Sequence, residues 1–542
     1  MQGLMMDYPL TLQHALQRAT RLFPRKEIVT ETGGEPHRYT YGEWGKRVAQ
    51  LAGALQKAGA TEGDRIATFA WNTYRHFELY FAIPCMGAVL HTLNIRLFED
   101  QLVYIINNAA DKIIFVDGDL VPVLEKLADQ IPTVKLYVIM GDAPYATGKL
   151  QPSVDYETFI ADQPTTYEWP QLDENSAAAM CYTSGTTGNP KGVVYSHRSI
   201  YLHSMAVGLA DGLSLSEHDV TLPIVPMFHA NAWGVPHASA FTGSKIVFTG
   251  RFMDPMRVAR LIERERVTLT EAVPTIWIGV LNLLGKERFD LSSLRAIVCG
   301  GSAVPQSLIE GLQSYNITIV QAWGMTETSP LASICYLRSY QRDLPLEEQF
   351  RIRARQGTVM AGVEFRVVNV DTGQEVPWDD QTFGELQVRG PWIARAYYED
   401  PASAEKFADG WLRTGDVAVV DEDGIIQLVD RTKDLVKSGG EWISSVELEG
   451  ILMGHPKVLE ACVVGIPHPR WSERPLACVV PKPDFAGQVT KEEILDYLRP
   501  LVAKWWLPDD VVFIDAVPKT SVGKFDKKVL RKRFETHQVG AD

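Results

Sequence analysis

Tyr182-Thr-Ser-Gly-Thr-Thr-Gly-Asn-Pro-Lys-Gly192 is the stretch on which the reading of this chain turns. Three glycines, four serine or threonine hydroxyls and Lys191 fall within eleven positions. Glycines let backbone N–H groups approach an anion, hydroxyls donate to phosphate oxygens or ligate Mg²⁺, and the lysine brings a mobile positive charge. The Walker pattern G-x-x-x-x-G-K-[ST] does not fit. Counted from Gly185, the second glycine comes too early, at Gly188, and Gly192 stands where a hydroxyl should follow the lysine. The stretch therefore reads as a phosphate-binding loop on a different scaffold, with a flexible surface loop as its plain alternative.

Outward from this loop, short β-branched runs alternate with longer helical ones. Helices over residues 41–59, 74–86, 101–108 and 121–130 interleave with strands over 65–69, 89–92, 112–116 and 135–139, and the rhythm resumes from 199 to 319. This alternation predicts parallel sheets with helices on both faces. Short strands near 364–370, 384–389 and 417–430, with turns at Asp371-Thr-Gly373 and Asp423-Gly424, form a strand-rich stretch. Past a charged cluster at 430–434 the pattern changes. A helix over 445–453, strands over 458–466 and 476–481, a helix over 490–504 with a Thr490…Glu493 capping box, a strand over 511–515 and a basic helix from Asp526 make a small α+β unit. The expected fold is α/β: a large N-terminal domain, residues 1–432, of layered sheets and helices with a small strand-rich subdomain, then a small α+β C-terminal domain, residues 433–542.

Composition narrows the function classes. Over 542 residues, 46% hydrophobic and 22% charged residues are ordinary for a globular chain. With 53 Lys+Arg against 67 Asp+Glu the net charge is −14, unsuited to wrapping nucleic acid. The excess acid is uneven, since residues 434–542 hold 15 basic and 16 acidic side chains. The six cysteines form no CxxC pair and read as buried free thiols of a reducing compartment. The twelve histidines show no HExxH or Cys/His zinc spacing. No apolar run reaches the roughly 18 residues of a membrane span, and the N-terminus lacks the basic segment of a signal peptide. A cytoplasmic protein without a transmembrane segment is expected.

The loop at 182–192 resembles the signature of the adenylate-forming superfamily of acyl-CoA synthetases, adenylation domains and firefly-type luciferases. The superfamily's other signatures follow in order: Pro226-Met-Phe-His-Ala-Asn-Ala-Trp233, Cys299-Gly-Gly-Ser-Ala303, Gln321-Ala-Trp-Gly-Met-Thr-Glu-Thr328, Gly410-Trp-Leu-Arg-Thr-Gly-Asp416, Asp430-Arg-Thr-Lys-Asp-Leu-Val-Lys-Ser-Gly-Gly-Glu441 and Pro518-Lys-Thr-Ser-Val-Gly-Lys524. The resemblance covers essentially the whole chain. Asn231, Trp233 and the segment Gly439-Gly-Glu-Trp-Ile-Ser444 look most like the bacterial medium- to long-chain fatty-acyl-CoA synthetases.

That resemblance implies an ATP-dependent ligase working in two halves: acyl-adenylate formation with release of pyrophosphate, then transfer of the acyl group to CoA. ATP, Mg²⁺ and CoA are the implied cofactors and co-substrates. It puts Ser184, Gly185, Thr186, Thr187, Gly188 and Lys191 around the phosphates, Thr183 and Glu327 on Mg²⁺, and Thr326 on the α-phosphate. Gly301, Ser302, Gln321, Ala322 and Trp323 would line the adenine, with core packing the alternative for Trp323. Asp416 would accept from the ribose, and Arg431 would hold ribose or phosphate. His229 would serve where carboxylate and α-phosphate meet, and Ala230 and Trp233 would border the acyl pocket. Lys524 would reach the α-phosphate during adenylation. In the family the small domain then rotates about a hinge, which maps to Lys433, and Lys437, Gly439, Gly440 and Glu441 turn inward to form the CoA passage. Many relatives carry Asp at the hinge, so a charge-specific role for Lys433 stays open. The basic helix from Asp526 reads as a solvated face or as an attractor for the CoA 3′-phosphate. A medium- or long-chain fatty acid is the expected substrate. A short thioether or branched acid, an aryl acid, or loading of a carrier protein are the alternatives. The segment around 10–21 resembles that of dimeric bacterial relatives and suggests a homodimer.

Overall fold

In the computed structural model the described residues are 1–142, 145–183, 189–370, 372–401, 403–431, 433–438, 441–519 and 525–537. They form four sheets. The first has seven strands, in the order Ser153–Asp155, Leu136–Met140, Ile113–Asp117, Arg65–Phe69, Val89–Thr92, Ala177–Tyr182 and Gly192–Ser196. Its first six strands are parallel; only Gly192–Ser196 runs antiparallel, paired with the strand that precedes it in the chain. The central strands Ile113–Asp117 and Val89–Thr92 are buried at every position, as strands covered on both faces must be.

The second sheet has nine strands, with a parallel centre built from Ile319–Gly324, Ala296–Cys299, Leu269–Ala272, Val220–Pro223, Lys245–Phe248 and Glu27–Thr30. His37–Thr40 and, at the other edge, Leu331–Ile334 and Thr358–Val359 pair antiparallel. The strands Glu27–Thr30 and His37–Thr40 precede the region where the hydrophobic rhythm becomes readable in the sequence. The helix Tyr74–Cys85 touches strands of both sheets, and on it packs the helix Tyr41–Lys57, started by a reciprocal Thr40/Glu43 cap. Its Tyr41 and Trp44 pack with Phe77 and Phe81 in a shared core.

Several local expectations change in detail. The helix expected over 121–130 divides into Val121–Glu125 and a 3₁₀ turn, Ala128–Gln130. The strands expected over 417–430 about a turn at Asp423-Gly424 are Leu412–Val420 and Ile426–Arg431, the first beginning five residues early, and Gly424 in the turn takes φ 73°. With Glu364–Val368 and Gly384–Arg389 they make a four-stranded antiparallel sheet. Asp371, of the other expected turn, lies outside the described residues.

The fourth sheet holds Glu441–Ile443, Val436–Ser438, Ser472–Pro481, Val458–His468 and Asp510–Phe513, packed against the helices Ser445–Met453 and Lys491–Leu498. Lys491–Leu498 stops well short of the expected 504, because Pro500 supplies no N–H and disfavours helix at Arg499. Its capping box is half made: Thr490 accepts from the Glu493 N–H at 3.2 Å, but the Glu493 carboxylate turns to Lys457 at 2.8 Å. No helix among the described residues is long and apolar enough to cross a membrane.

Candidate active site

The ends of these sheets converge on one cavity of about 610 Å³. Its wall takes Thr183 and Lys191 from the hairpin of the seven-stranded sheet, and His229, Ala230 and Trp233 from the turn after Val220–Pro223. Gly301, Ser302, Gln321, Ala322, Trp323, Thr326 and Glu327 come from the nine-stranded sheet, and Asp416, Arg431 and Lys433 from the four-stranded sheet and its exit.

The hairpin is closed by Thr183 and Lys191 themselves: Thr183 N–H donates to the Lys191 carbonyl at 2.9 Å, and Lys191 N–H donates to Thr183 Oγ1 at 3.1 Å. Lys191 Nζ pairs with Asp400 at 2.9 Å and lies 4.8 Å from the centre of the Tyr397 ring. Tyr397 in turn donates its hydroxyl to Glu327 Oε1 at 2.5 Å. Burial, and then the Glu327 charge, push the Tyr397 phenol well above its ordinary range, so it stays a donor. The 3₁₀ turn Thr326–Thr328 that carries Glu327 is fixed through its backbone, Tyr195 donating to the Thr326 carbonyl at 2.7 Å and the Ala394 N–H to that of Glu327 at 2.8 Å.

A second constellation follows from strand register. Asp416 lies directly across from Arg431, and their side chains meet at 3.3 Å. The other Asp416 oxygen accepts from Trp323 Nε1 at 2.9 Å. The Asp416 charge raises the Arg431 pKa, whereas burial lowers that of Lys433 two residues on. Gly300 is required by close approach: a Cβ there would stand 2.5 Å from the Ala322 carbonyl oxygen. Gln321 is buried, and its Oε1 has no hydrogen-bond partner among the described residues.

The turn beneath the cavity is conformationally costly. Ala230, Asn231, Ala232 and Trp233 have φ between 42° and 52°, one turn of left-handed helix made of L-residues, and Gly234 follows at 78°. Each such residue costs about 1–2 kcal/mol, and strain of this kind collects at functional sites. Asn231 Oδ1 accepts from Cys181 Sγ at 3.2 Å, and the turn is sealed by Gly234 N–H to the Asn231 carbonyl at 3.0 Å.

Comparison with known proteins decides the family. Residues 16–398 match the AMP-binding enzyme family, and residues 447–524 match its AMP-binding enzyme C-terminal domain. The chain belongs to the AMP-binding enzymes. It is 45% identical over 541 residues to a long-chain-fatty-acid–CoA ligase of Thermus thermophilus, covering 99% of this chain and 98% of that protein. It is 43% identical over 544 residues to a 3-methylmercaptopropionyl-CoA ligase of Ruegeria lacuscaerulensis, covering 100% of both. Among solved structures it resembles an anthranilate CoA ligase in complex with anthranoyl-AMP, with TM-score 0.86, 25% identity and 98% of each chain covered.

In this AMP-binding enzyme Ser184, Gly185, Thr186, Thr187, Gly188, Gly439, Gly440 and Lys524 lie outside the described residues. Lys437 is exposed, its ammonium 4.7 Å from the Trp442 ring centre, and is absent from the cavity wall. The expectation of a solvated basic helix fails for part of Lys527–Arg533. Lys527 is buried and pairs with Glu449 at 2.8 Å, while Arg531 pairs with Asp434. The reason is that this helix packs on the strand Val458–His468, which turns one face inward, Leu530 joining the core there. Both Lys527 and Arg531 line the cavity. Sequence reasoning also missed Tyr397 and Glu271, which share that wall. Glu271 leaves a legible trace, a lone acid inside the apolar run Val267-Thr-Leu-Thr-Glu-Ala-Val273. Tyr397 leaves none.

Proposed function

We infer that this AMP-binding enzyme is an acid–CoA ligase, an ATP-dependent acyl-CoA synthetase. The observation that carries the reading is the convergence of six separated sequence motifs on one cavity. Its wall includes both charged groups and the aliphatic and aromatic side chains of Trp233, Val235, Ile278 and Val298.

The acid's carboxylate oxygen attacks the α-phosphorus of ATP, and pyrophosphate leaves. The CoA thiolate then attacks the carbonyl carbon of the mixed anhydride, and AMP leaves with the C–O bonding pair. Negative charge builds on oxygen in both halves, and fixed donors held away from water are the effective stabilisers. Arg431, oriented by Asp416, and Lys191, steered by Asp400 and Tyr397, are the cations on hand. Thr326 donates to the α-phosphate, and His229 orients the carboxylate. The second Asp416 oxygen is engaged by Trp323, yet a carboxylate has further lone pairs for ribose hydroxyls. The orphaned Gln321 oxygen supports a ligand with a donor on the adenine side. Thr183 and Glu327 suit Mg²⁺, since one carboxylate and one hydroxyl leave positions for phosphate oxygens and water. When bound, the ion would neutralise phosphate charge.

The favoured acid is a medium- or long-chain fatty acid, as in the Thermus thermophilus relative. The site lies between a large domain, residues 1–432, and a C-terminal domain, residues 433–542, that turns about Lys433 between the two halves. The protein is proposed to act in the cytoplasm, supported by six buried, unbridged cysteines, and to form a homodimer. Pyrophosphate release with acids from C3 to C18 and aryl acids, with and without CoA, tests the reading. Thioester formation for an aliphatic series is expected, and release that ignores CoA with no thioester formed would overturn it.

A further inference from the structure

Glu271 is the anomaly of the cavity. It sits at the end of the strand Leu269–Ala272, is 1% exposed, and neither carboxyl oxygen has a hydrogen-bond partner among the described residues. The other four buried glutamates described are all provided for. Glu78 takes Arg47 at 2.7 Å and Tyr39 at 3.0 Å, Glu265 takes Lys245 at 3.1 Å, Glu327 takes Tyr397 at 2.5 Å and Glu449 takes Lys527 at 2.8 Å. Leaving a buried polar group unpaired is destabilising, so an isolated acid in an apolar strand calls for a partner the protein itself does not supply.

The location says where that partner comes from. Glu271 lines the cavity together with Pro274, Thr275 and Ile278, from the first two turns of the following helix, and with Val298 of the neighbouring strand. Trp233 borders the same space. Apart from Thr275, these neighbours are apolar. No cation is paired with Glu271, and burial pushes its carboxyl well above the ordinary range. Burial with no paired cation favours the protonated carboxylic acid, which both donates and accepts. The complementary group on a ligand is one that also donates and accepts, and a hydroxyl does so with one atom.

Resting on the acid–CoA ligase reading, we propose that Glu271 is a specificity-determining residue that selects aliphatic acids carrying a hydroxyl on the part of the chain remote from the carboxylate. A plain alkyl chain would cover the Glu271 carboxyl without pairing it, whereas a hydroxylated chain completes it. A site built around such a hydrogen bond discriminates more sharply than one that merely measures length.

The test uses the purified full chain with ATP, Mg²⁺ and CoA, and matched pairs of C4 to C12 alkanoic acids and their ω-hydroxy counterparts. For at least one length the hydroxy acid is expected to exceed its alkyl partner in kcat/KM by tenfold or more. Glu271→Leu should reverse that preference, raising the alkyl acid and depressing the hydroxy acid. Glu271→Gln, which keeps shape and hydrogen bonding, should retain it within about threefold, and Glu271→Met replaces the leucine variant if that one does not accumulate. Thioester formed from alkyl acids with no preference for any hydroxy partner overturns the proposal and leaves the ligase standing. Preference for ω-amino acids would make Glu271 a cation site and also overturn it. Thioester from neither series, with no pyrophosphate released, overturns the ligase reading and this proposal together.

Discussion

In the large unit the cavity wall is tied by hydrogen bonds between segments distant in sequence: Tyr397 to Glu327, Tyr195 to the Thr326 carbonyl and Trp323 to Asp416. The wall contributed by the small unit is held differently. Ser445 N–H donates to Asp430 at 2.8 Å, Arg531 reaches Asp434, and Lys527 reaches Glu449. The partners in these contacts are charged or hydroxylic side chains, apart from the Ser445 N–H. Of these three, only the Ser445–Asp430 contact joins residues on either side of position 432; if the small unit turns between half-reactions as proposed, that polar contact is one to be exchanged.

The comparison breaks most visibly at Glu327. Glu327→Ala should cut pyrophosphate release by roughly three orders of magnitude, with an unchanged far-UV spectrum and melting profile; near wild-type release would reject its role. On the other wall, Lys527→Ala leaves Glu449 buried without its cation, at a cost of about 3–5 kcal/mol. Denaturant unfolding should show the loss in the small unit, and Lys527→Met combined with Glu449→Leu should recover most of it. Next comes the separation of the half-reactions. Lys524→Ala should lose about two orders of magnitude in adenylation yet convert supplied acyl-adenylate and CoA at near wild-type rate. Gly440→Leu should do the reverse by obstructing the pantetheine arm, and equal damage to both halves by both variants would exclude alternation.

The smallest effect concerns acid stability of the large unit. Burial favours the protonated form of Glu265, but hydrogen bonds from Arg38 and Lys245 outweigh it and hold the carboxyl down to about 2. An acid whose pKa is depressed in the folded state contributes stability above its unfolded value of about 4.3. That contribution is lost as the pH falls toward 2. Glu265→Gln should flatten this limb of the melting temperature against pH. The loss at neutral pH should be modest, because Arg38 and Arg264 are partly exposed and can be rehydrated.

Motif reading reached the site wherever chemistry is written in contiguous residues. Thr183, Lys191, Glu327 and Asp416 belong to segments whose glycines and hydroxyls have few other uses. The α/β alternation was equally plain, because strands such as Ile113–Asp117 open on an unbroken apolar run, Ile113 to Val116. What escaped was set by pairing at long range. Tyr397 acquires meaning only from Glu327, 70 positions away, and Lys527 looked like surface until Glu449 was folded beside it. The hairpin of Val436–Ser438 with Glu441–Ile443 was hidden because its strands are only three residues long. Four consecutive residues in the left-handed region at Ala230–Trp233 run against local preference altogether, so no propensity could announce them.

The six buried thiols have a practical consequence. Burial pushes Cys181 up to about 11 and Cys335 and Cys478 up to about 12, and raises the other three as well, so little reactive thiolate exists while the chain is closed. Alkylation must then wait for local opening. Cys85 and Cys181 belong to the seven-stranded layer, Cys299 and Cys335 to the nine-stranded layer, and Cys462 and Cys478 to adjacent strands of the small unit, directly opposite one another. Pulse labelling followed by peptide mass analysis would therefore time the opening of each layer separately, on the unaltered protein, with the natural cysteines as its clocks.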